Sequence, residues 1–180
     1  MKYLCILLLV TVVYNPSMGQ FSSTVRRGPW MPNYDSLYLG KPYAAFDVTS
    51  LGGKKINNAT CHGKVTVLDF WFEGCPGCRG EFTQLNQLYD SLKADSSIQF
   101  AAITFDSPKE LPAFLKENGI KYPVFSTNDL KKFKKLCYGM GSPSKIILDK
   151  EEKIASIGLM GFDNSKLSVG SYLSFIRSLK

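Results

Sequence analysis

A β-prone run leads directly into two cysteines in the segment Val65-Thr66-Val67-Leu68-Asp69-Phe70-Trp71-Phe72-Glu73-Gly74-Cys75-Pro76-Gly77-Cys78-Arg79. The run is mostly apolar on both faces, which is typical of a central parallel strand covered by helices on each side. From residue 76 to residue 93, apolar side chains recur at spacings of three and four and predict a helix. The segment therefore predicts a buried strand followed by a helix that begins at the cysteines.

The same alternation of strand and helix continues on either side of this segment. The patterning predicts strands over residues 45–48, 98–105, 146–148 and 154–158, and helices over residues 109–118, 130–136 and 165–179. The last two strands flank the turn 149–152 and predict a hairpin. The order is strand, helix, strand, helix, hairpin and helix, which indicates an α/β domain.

Asp69 is the charged residue within the predicted central strand. An ionised carboxylate in an apolar interior is costly, and its usual response is a raised pKa. Perturbed buried carboxylates cluster at functional sites, and this strand runs toward two cysteines, so Asp69 is a candidate functional residue. The alternative is that Asp69 marks a strand edge or bonds a neighbouring backbone amide.

Cys75 and Cys78 lie at the predicted start of the helix. The positive end of the helix dipole and the unpaired backbone N–H groups there favour a thiolate, which predicts Cys75 as the nucleophile. The spacing places Cys78 one turn along the helix, within disulfide reach and with its sulfur facing inward, which predicts a resolving thiol. An inert structural disulfide and half of a zinc site are the alternatives.

A zinc site would need two further ligands, for which Cys61 and His62, the single histidine of the chain, are candidates. A strand between these residues and Cys75 would hold them roughly 30 Å apart. We therefore expect no metal site and no cofactor. Cys61 and Cys137 could form a second disulfide, stay free or be modified, and we expect two separate thiols. A metallochaperone that binds Cu(I) through Cys75 and Cys78 remains an alternative.

The segment around the cysteines resembles the thioredoxin active site, in which a buried Asp precedes the first cysteine of C-x-x-C by six residues. Other motifs are similar to those of TlpA-like, secreted thiol-disulfide oxidoreductases, namely Leu39-Gly40-Lys41-Pro42 with Phe46, Gly63-Lys64, Glu81, Gly119-Ile120-Lys121-Tyr122-Pro123-Val124 and Tyr138-Gly139-Met140-Gly141-Ser142-Pro143. The resemblance covers about residues 39–180. It implies a thioredoxin-like fold, with a central mixed β-sheet, helices on both faces, and a C-terminal hairpin and helix.

The resemblance also implies a two-cysteine mechanism. Cys75 would attack a substrate disulfide, and Cys78 would attack Cys75 to release the reduced substrate. Asp69, below the cysteine pair, would accept the proton of Cys78. Of the neighbouring residues, we expect Trp71 to be packing and Glu73 to be a solvated charge at the rim.

Pro143 corresponds to the cis-proline of the superfamily. The backbone around Ser142 and Pro143 would pair with an extended substrate segment, and Pro76 and Gly77 would complete the substrate-binding surface. A peroxiredoxin would carry Thr three residues before its peroxidatic cysteine, where this chain has Phe72, so peroxidase activity is disfavoured.

The N-terminus predicts a secretory signal peptide over residues 1–19. Lys2 supplies a positive n-region, residues 3–13 an apolar h-region, and Ser17-Met18-Gly19 a cleavage site of small residues. The apolar run is shorter than the roughly 20 residues that cross a bilayer, so we expect no stable membrane insertion after cleavage. Residues 20–38 are interpreted as a lead-in segment, and residues 39–180 as the domain. The protein is expected to be secreted or periplasmic.

The 180 residues are 44% apolar and 21% charged, as in an average soluble globular chain. The net charge of +7 is scattered along the chain, which does not indicate nucleic-acid binding.

The residues between the cysteines include no histidine that could strongly stabilise the Cys75 thiolate. We therefore expect a moderate thiolate pKa and an intermediate-to-reducing potential. This favours a reductase of protein disulfides, supplied with electrons by a membrane partner, over a disulfide-forming oxidase or isomerase.

Overall fold

The computed structural model describes residues 33–159 and 168–180, over which the chain forms seven strands and seven helices. The strands are β1 (Asp47–Ser50), β2 (Lys55–Asn57), β3 (Val65–Phe70), β4 (Ile98–Thr104), β5 (Val124–Ser126), β6 (Ser144–Leu148) and β7 (Ile154–Gly158). The helices are α1 (Tyr34–Tyr38), α2 (Asn58–Cys61), α3 (Pro76–Arg79), α4 (Phe82–Leu92), α5 (Leu111–Glu117), α6 (Leu130–Leu136) and α7 (Val169–Ser178).

Three predicted segments lie wholly or partly outside the described residues. They are the signal peptide 1–19, residues 20–32 of the lead-in segment, and residues 165–167 at the predicted start of the last helix. Within the described part of the chain, no helix has the length and apolar character needed to cross a membrane.

The described strands form one mixed sheet in the order β2-β1-β5-β4-β3-β6-β7. β3 pairs with β4 in parallel and with β6 antiparallel, and β6 and β7 form the predicted hairpin. In the hairpin turn, the Asp149 carboxylate accepts hydrogen bonds from the backbone N–H groups of Glu151 and Lys153. The predicted mixed sheet and C-terminal hairpin are thus confirmed.

Each face of the sheet carries its own hydrophobic core. One core packs α4, α5 and α7 against the face of β3 that includes Val65 and Val67. The other packs α6 against the face that includes Leu68 and Phe70. Burying a large apolar side chain contributes about 1.5–3 kcal/mol, and all six residues of β3 are buried. The strand is therefore held from both faces, and its C-terminal end presents the cysteine segment at a fixed position.

The helix predicted over residues 76–93 is divided into α3 and α4, so the prediction of one continuous helix was wrong. The backbone N–H of Glu81 donates to the carbonyl of Cys78 at 3.0 Å, a turn tighter than an α-helix. The Glu81 side chain is buried, and its carboxylate lies 2.7 Å from Lys145 Nζ. The ion pair between Glu81 and Lys145 stabilises the turn at this point, although the spacing of apolar residues predicts that the helix continues.

The shortest elements were not predicted, namely α1, α2, β2 and β5, and β1 begins at Asp47 rather than at residue 45. Elements of three to five residues have too few repeats to show a period. α1 falls inside the lead-in segment, and its Tyr38 ring lies 4.2 Å from that of Tyr138, measured between centroids. The end of the lead-in segment therefore packs on the domain.

Candidate active site

Cys75 and Cys78 form a disulfide with an S–S distance of 2.07 Å. Cys75 is the N-cap residue of α3, and its Sγ accepts a hydrogen bond from the backbone N–H of Cys78 at 3.2 Å. Pro76 occupies the first turn, where the missing N–H of proline costs nothing. An N–H group directed at Sγ stabilises a thiolate when the pair is reduced. The predicted disulfide reach between the two cysteines is confirmed.

Both cysteines lie beneath the surface of the domain. Cys75 is 3% exposed and Cys78 is 1% exposed, whereas Pro76 and Gly77 between them are exposed. The predicted inward placement of Cys78 is confirmed. Pro76 and Gly77 form the outer surface of the disulfide loop.

The loop before β6 lies against the disulfide loop. The Ser142–Pro143 peptide bond is cis, as predicted, and both residues are half-buried. A Cβ atom built on Gly77 would lie 3.2 Å from Pro143 Cδ. The fold therefore brings together the residues that the sequence analysis assigned to substrate binding.

Asp69 is 1% exposed and lies directly opposite Lys145 across the β3–β6 ladder. Its Oδ1 atom is 3.2 Å from Lys145 Nζ. Burial raises the pKa of Asp69 above its ordinary value, and the Lys145 ammonium offsets part of that effect. The predicted burial of Asp69 is confirmed, and the pKa shift has the predicted direction.

Lys145 was missed by the sequence analysis, and Glu81 was noted only as part of a motif. Lys145 is 0% exposed, and its Nζ lies between the carboxylates of Asp69 and Glu81, 3.2 Å and 2.7 Å away. Burial alone would lower the pKa of Lys145, but the two carboxylates outweigh it and the pKa is raised. The predicted strand began at residue 146. Extending its alternation back from Ile147 to Lys145 would have placed the lysine on an inward face.

Two tyrosine hydroxyls border this buried charged group. Burial raises the pKa of Tyr122, and the negative charges of Asp69 and Glu81 raise it further. The hydroxyl of Tyr172, from α7, acts electrostatically on Lys145. These hydroxyls and the three charged side chains thus form a polar centre inside an apolar core.

Glu73 differs from the expected solvated charge at the rim, because it is half-buried and its Oε1 atom is fully buried. Its backbone N–H donates to Asp106 Oδ2 at 2.8 Å. Burial raises the pKa of Glu73, and the carboxylates of Asp106 and Glu110 raise it further. The expectation of a solvated charge was therefore wrong, since the Asp106 contact folds the Glu73 backbone toward the domain.

Trp71 packs as expected. It is 1% exposed, and its ring stacks on Phe114 with centroids 5.6 Å apart. The guanidinium of Arg79 lies 4.9 Å from the centroid of the Phe114 ring. The aromatic pair thus supports the helix that carries the cysteines.

Comparison with known proteins identifies the family. The AhpC/TSA family model matches residues 39–157. The chain belongs to the AhpC/TSA family.

Among curated relatives of this AhpC/TSA-family chain, the thiol-disulfide oxidoreductase ResA of Bacillus thuringiensis is 29% identical over 140 residues, 76% of this chain and 78% of that protein. The thiol:disulfide interchange protein DsbE of Pseudomonas aeruginosa is 33% identical over 66 residues, 34% of this chain and 37% of that protein. The thioredoxin domain of a thiol-disulfide oxidoreductase from Bacteroides vulgatus superposes with a TM-score of 0.64 at 24% identity, covering 77% of this chain and 97% of that one. The AhpC/TSA-family chain is accordingly a thiol-disulfide oxidoreductase with a thioredoxin-like fold.

The other cysteines of this oxidoreductase that the structure describes are separate from the active pair. Cys61 and Cys137 are free thiols and completely buried, which confirms the expectation of two separate thiols. Within residues 33–159 and 168–180, no three side chains of His, Cys, Asp or Glu come together as a metal-binding group.

Proposed function

We propose that this protein reduces protein disulfides in the periplasm or outside the cell, by cycling Cys75 and Cys78 between dithiol and disulfide. The observation that carries the proposal is the disulfide at the N-terminus of α3, with Cys75 at the cap and Cys78 facing inward. The predicted signal peptide supports the location, and the names of the curated relatives support exchange between thiols and disulfides.

In the first step, the Cys75 thiolate attacks one sulfur of the substrate disulfide. A Cys75–substrate disulfide forms, the substrate S–S bond breaks, and the departing substrate sulfur leaves as a thiolate that takes a proton from solvent. The Cys78 N–H that donates to Cys75 Sγ stabilises the attacking thiolate.

In the second step, Cys78 resolves the mixed disulfide. Asp69 in its carboxylate form takes the proton of the Cys78 thiol, and the resulting thiolate attacks Cys75 Sγ. The Cys75–Cys78 disulfide forms, the bond between Cys75 and the substrate breaks, and the second substrate thiolate leaves and takes a proton from solvent. Asp69 then releases the proton of Cys78 to solvent. Over both steps the substrate gains two electrons from the protein and two protons from solvent.

The substrate is an extended polypeptide segment that lies across the disulfide loop and the cis-proline loop. Ser142 and Pro143 stand next to Gly77, and their backbone can pair with such a segment as an added strand. The exposed Pro76 and Gly77 offer a small surface without charge, which admits substrates of varied sequence.

The weak stabilisation of the thiolate supports reduction of the substrate as the direction of electron flow. No histidine stands between the cysteines, and α3 is a single turn, so the reduced form is not strongly favoured. The pair is then a reductant, and a membrane partner must return two electrons to it after each turnover.

The test is reduction of insulin by the protein lacking residues 1–19, with its potential measured by equilibration against glutathione. We expect turnover in the parent, loss of turnover in Cys75→Ser, and unchanged turnover in the matched control Cys61→Ser. A potential more oxidising than about −150 mV would contradict the reductase direction. Retention of one cuprous ion per chain without insulin turnover would instead identify a metallochaperone.

A further inference from the structure

Three buried charged residues form a connected group behind the disulfide, called here the buried triad: Asp69, Lys145 and Glu81. Asp69 on β3 and Lys145 on β6 are direct partners across the antiparallel ladder, so their side chains share one face of the sheet. Glu81 follows Cys78 by three residues, in the turn between α3 and α4. The turn that interrupts the predicted helix is what brings Glu81 to Lys145.

The buried triad holds two carboxylates and one ammonium. If all three were ionised, the group would carry an excess negative charge inside the core. Uncompensated charge in a low-dielectric interior is costly, so the triad favours binding one proton. The fold therefore stores one exchangeable proton on the face of β3 whose core also includes both cysteines.

The geometry indicates which carboxylate holds that proton. Glu81 is the closer partner of Lys145, at 2.7 Å against 3.2 Å for Asp69. Glu81 is also less buried, at 6% exposed against 1%. Both differences favour an ionised Glu81 and place the proton on Asp69.

Two tyrosine hydroxyls act on the triad. Tyr122 faces Asp69 and Glu81, and Tyr172 faces Lys145. Burial and the nearby carboxylates raise the pKa of Tyr122 and so oppose ionisation of its hydroxyl. Lys145 is the cation whose attraction lets Asp69 ionise in the core.

We propose that Lys145 is a positioning residue of the exchange reaction, whose ammonium, shared between Glu81 and Asp69, lets Asp69 alternate between carboxylic acid and carboxylate. In the carboxylate form, Asp69 takes the proton of the Cys78 thiol, the S–H electron pair stays on sulfur, and Cys78 attacks Cys75. This inference rests on the proposed function and adds a residue that does not touch the reacting sulfurs.

The test compares two variants that change the triad charge in opposite senses. A mixed disulfide between Cys75 and a labelled peptide is prepared, and the rate of peptide release is followed from pH 5 to pH 9. Lys145→Met removes the cation, so Asp69 ionises less readily and the midpoint of the release rate moves upward by at least about one pH unit. Below the midpoint this is roughly a tenfold slower release. Glu81→Gln removes the competing carboxylate, and the midpoint moves downward.

Two further variants keep the test decisive. Removing a buried counterion alone is destabilising, so the double variant Lys145→Met with Glu81→Gln, which removes one charge of each sign, is measured beside it. Its midpoint should move upward by less than that of Lys145→Met, because loss of the Glu81 charge offsets part of the effect of losing the cation. The matched control is Lys93→Met, which removes an exposed lysine paired with Asp90 and should leave the midpoint in place.

The outcomes separate the inference from the function on which it rests. Midpoints that stay fixed, or that move in the same direction in both single variants, would overturn the role of Lys145. If Lys145 were only structural, Lys145→Met would change the stability of the protein, and the midpoints of Lys145→Met and Glu81→Gln would not move in opposite directions. If the wild-type protein fails to attack the peptide disulfide at all, the proposed function falls and the role of Lys145 falls with it. Attack by Cys75, measured in a Cys78→Ser background, should change less than twofold on adding Lys145→Met.

Discussion

Gly77 lies against Pro143 so closely that a Cβ atom on residue 77 would stand 3.2 Å from the proline Cδ atom. Gly77 belongs to the single turn of α3, and Pro143 immediately precedes β6. A contact of that length is tighter than an ordinary van der Waals contact, so a side chain at position 77 would push the proline ring away by a few tenths of an ångström. The glycine thus sets the separation between the disulfide loop and the loop that we propose binds substrate.

Gly77→Ala should impair reduction of a protein substrate more than reduction of a small disulfide. The added methyl group displaces Pro143, whose backbone would hold an extended chain, while a small disulfide needs only Cys75. We expect kcat/KM for insulin to fall about threefold to tenfold, and the rate with a small aromatic disulfide to change less than twofold. The free energy of unfolding should change by less than about 1 kcal/mol, because the higher helix propensity of alanine offsets the disturbed packing against Pro143.

Gly80→Ala is the matched control for this prediction. A Cβ atom at Gly80 would meet the carbonyl oxygen of Gly77 at 3.4 Å, an ordinary contact. Equal losses in the two variants, for both substrates, would show that the separation from Pro143 is unimportant.

Cys78→Ser should trap the reaction after its first step. Cys75 keeps its cap position and its capacity to attack, but no second sulfur is present to resolve the product. We expect mixed disulfides that migrate at higher mass on non-reducing gels and disappear on reduction. Trapping by Cys75→Ser instead of Cys78→Ser would reverse the two roles.

Asp69→Asn should stabilise the protein at neutral pH. Burial raises the folded-state pKa of Asp69, so the proton binds more tightly to the folded than to the unfolded chain. The stability that Asp69 contributes is then fully present below the pKa that Asp69 has in the unfolded chain. It is lost as the pH rises through the pKa that Asp69 has in the folded protein. The asparagine side chain cannot ionise, so the variant does not lose this stability as the pH rises. Lys145 keeps its contact with the Glu81 carboxylate.

We expect Asp69→Asn to gain on the order of 1 kcal/mol in urea unfolding at pH 8, with the gain shrinking as the pH falls toward 4. Asp90→Asn provides a control of opposite sign. The hydrogen bond from Lys93 lowers the pKa of Asp90, so this variant should lose stability at neutral pH and regain parity on acidification. A stability difference for Asp69→Asn that does not depend on pH would remove the evidence for an ionisable Asp69.

Much of the site could be predicted because its parts are local in the chain. The β-prone run, its buried Asp69, and the two cysteines at a helix start fall within fifteen consecutive positions, and their order reflects one strand leading into one helix. The hairpin of β6 and β7 and the helix α6 also follow from periodicity and turn residues. The bounds of β7 and α6 match their predictions.

The buried triad could not be predicted in the same way, because its members are far apart in the sequence. Lys145 meets Asp69 only through the register of β6 on β3, and it meets Glu81 only through the turn that divides the helix. A lysine near a strand end reads as a solvated charge until the neighbouring strand and the covering helices are in place.

The sequence by itself determined the chemistry of this protein, since reactive thiols at a helix N-terminus and a carboxylate inside an apolar strand are properties of neighbouring residues. The tertiary structure alone decided which charges surround that chemistry. Strand register, the break between α3 and α4, and the approach of Pro143 to Gly77 place distant residues within a few ångströms of one another. Electrostatic and steric effects act over those distances in space and not along the chain, which is why the fold was needed to find them.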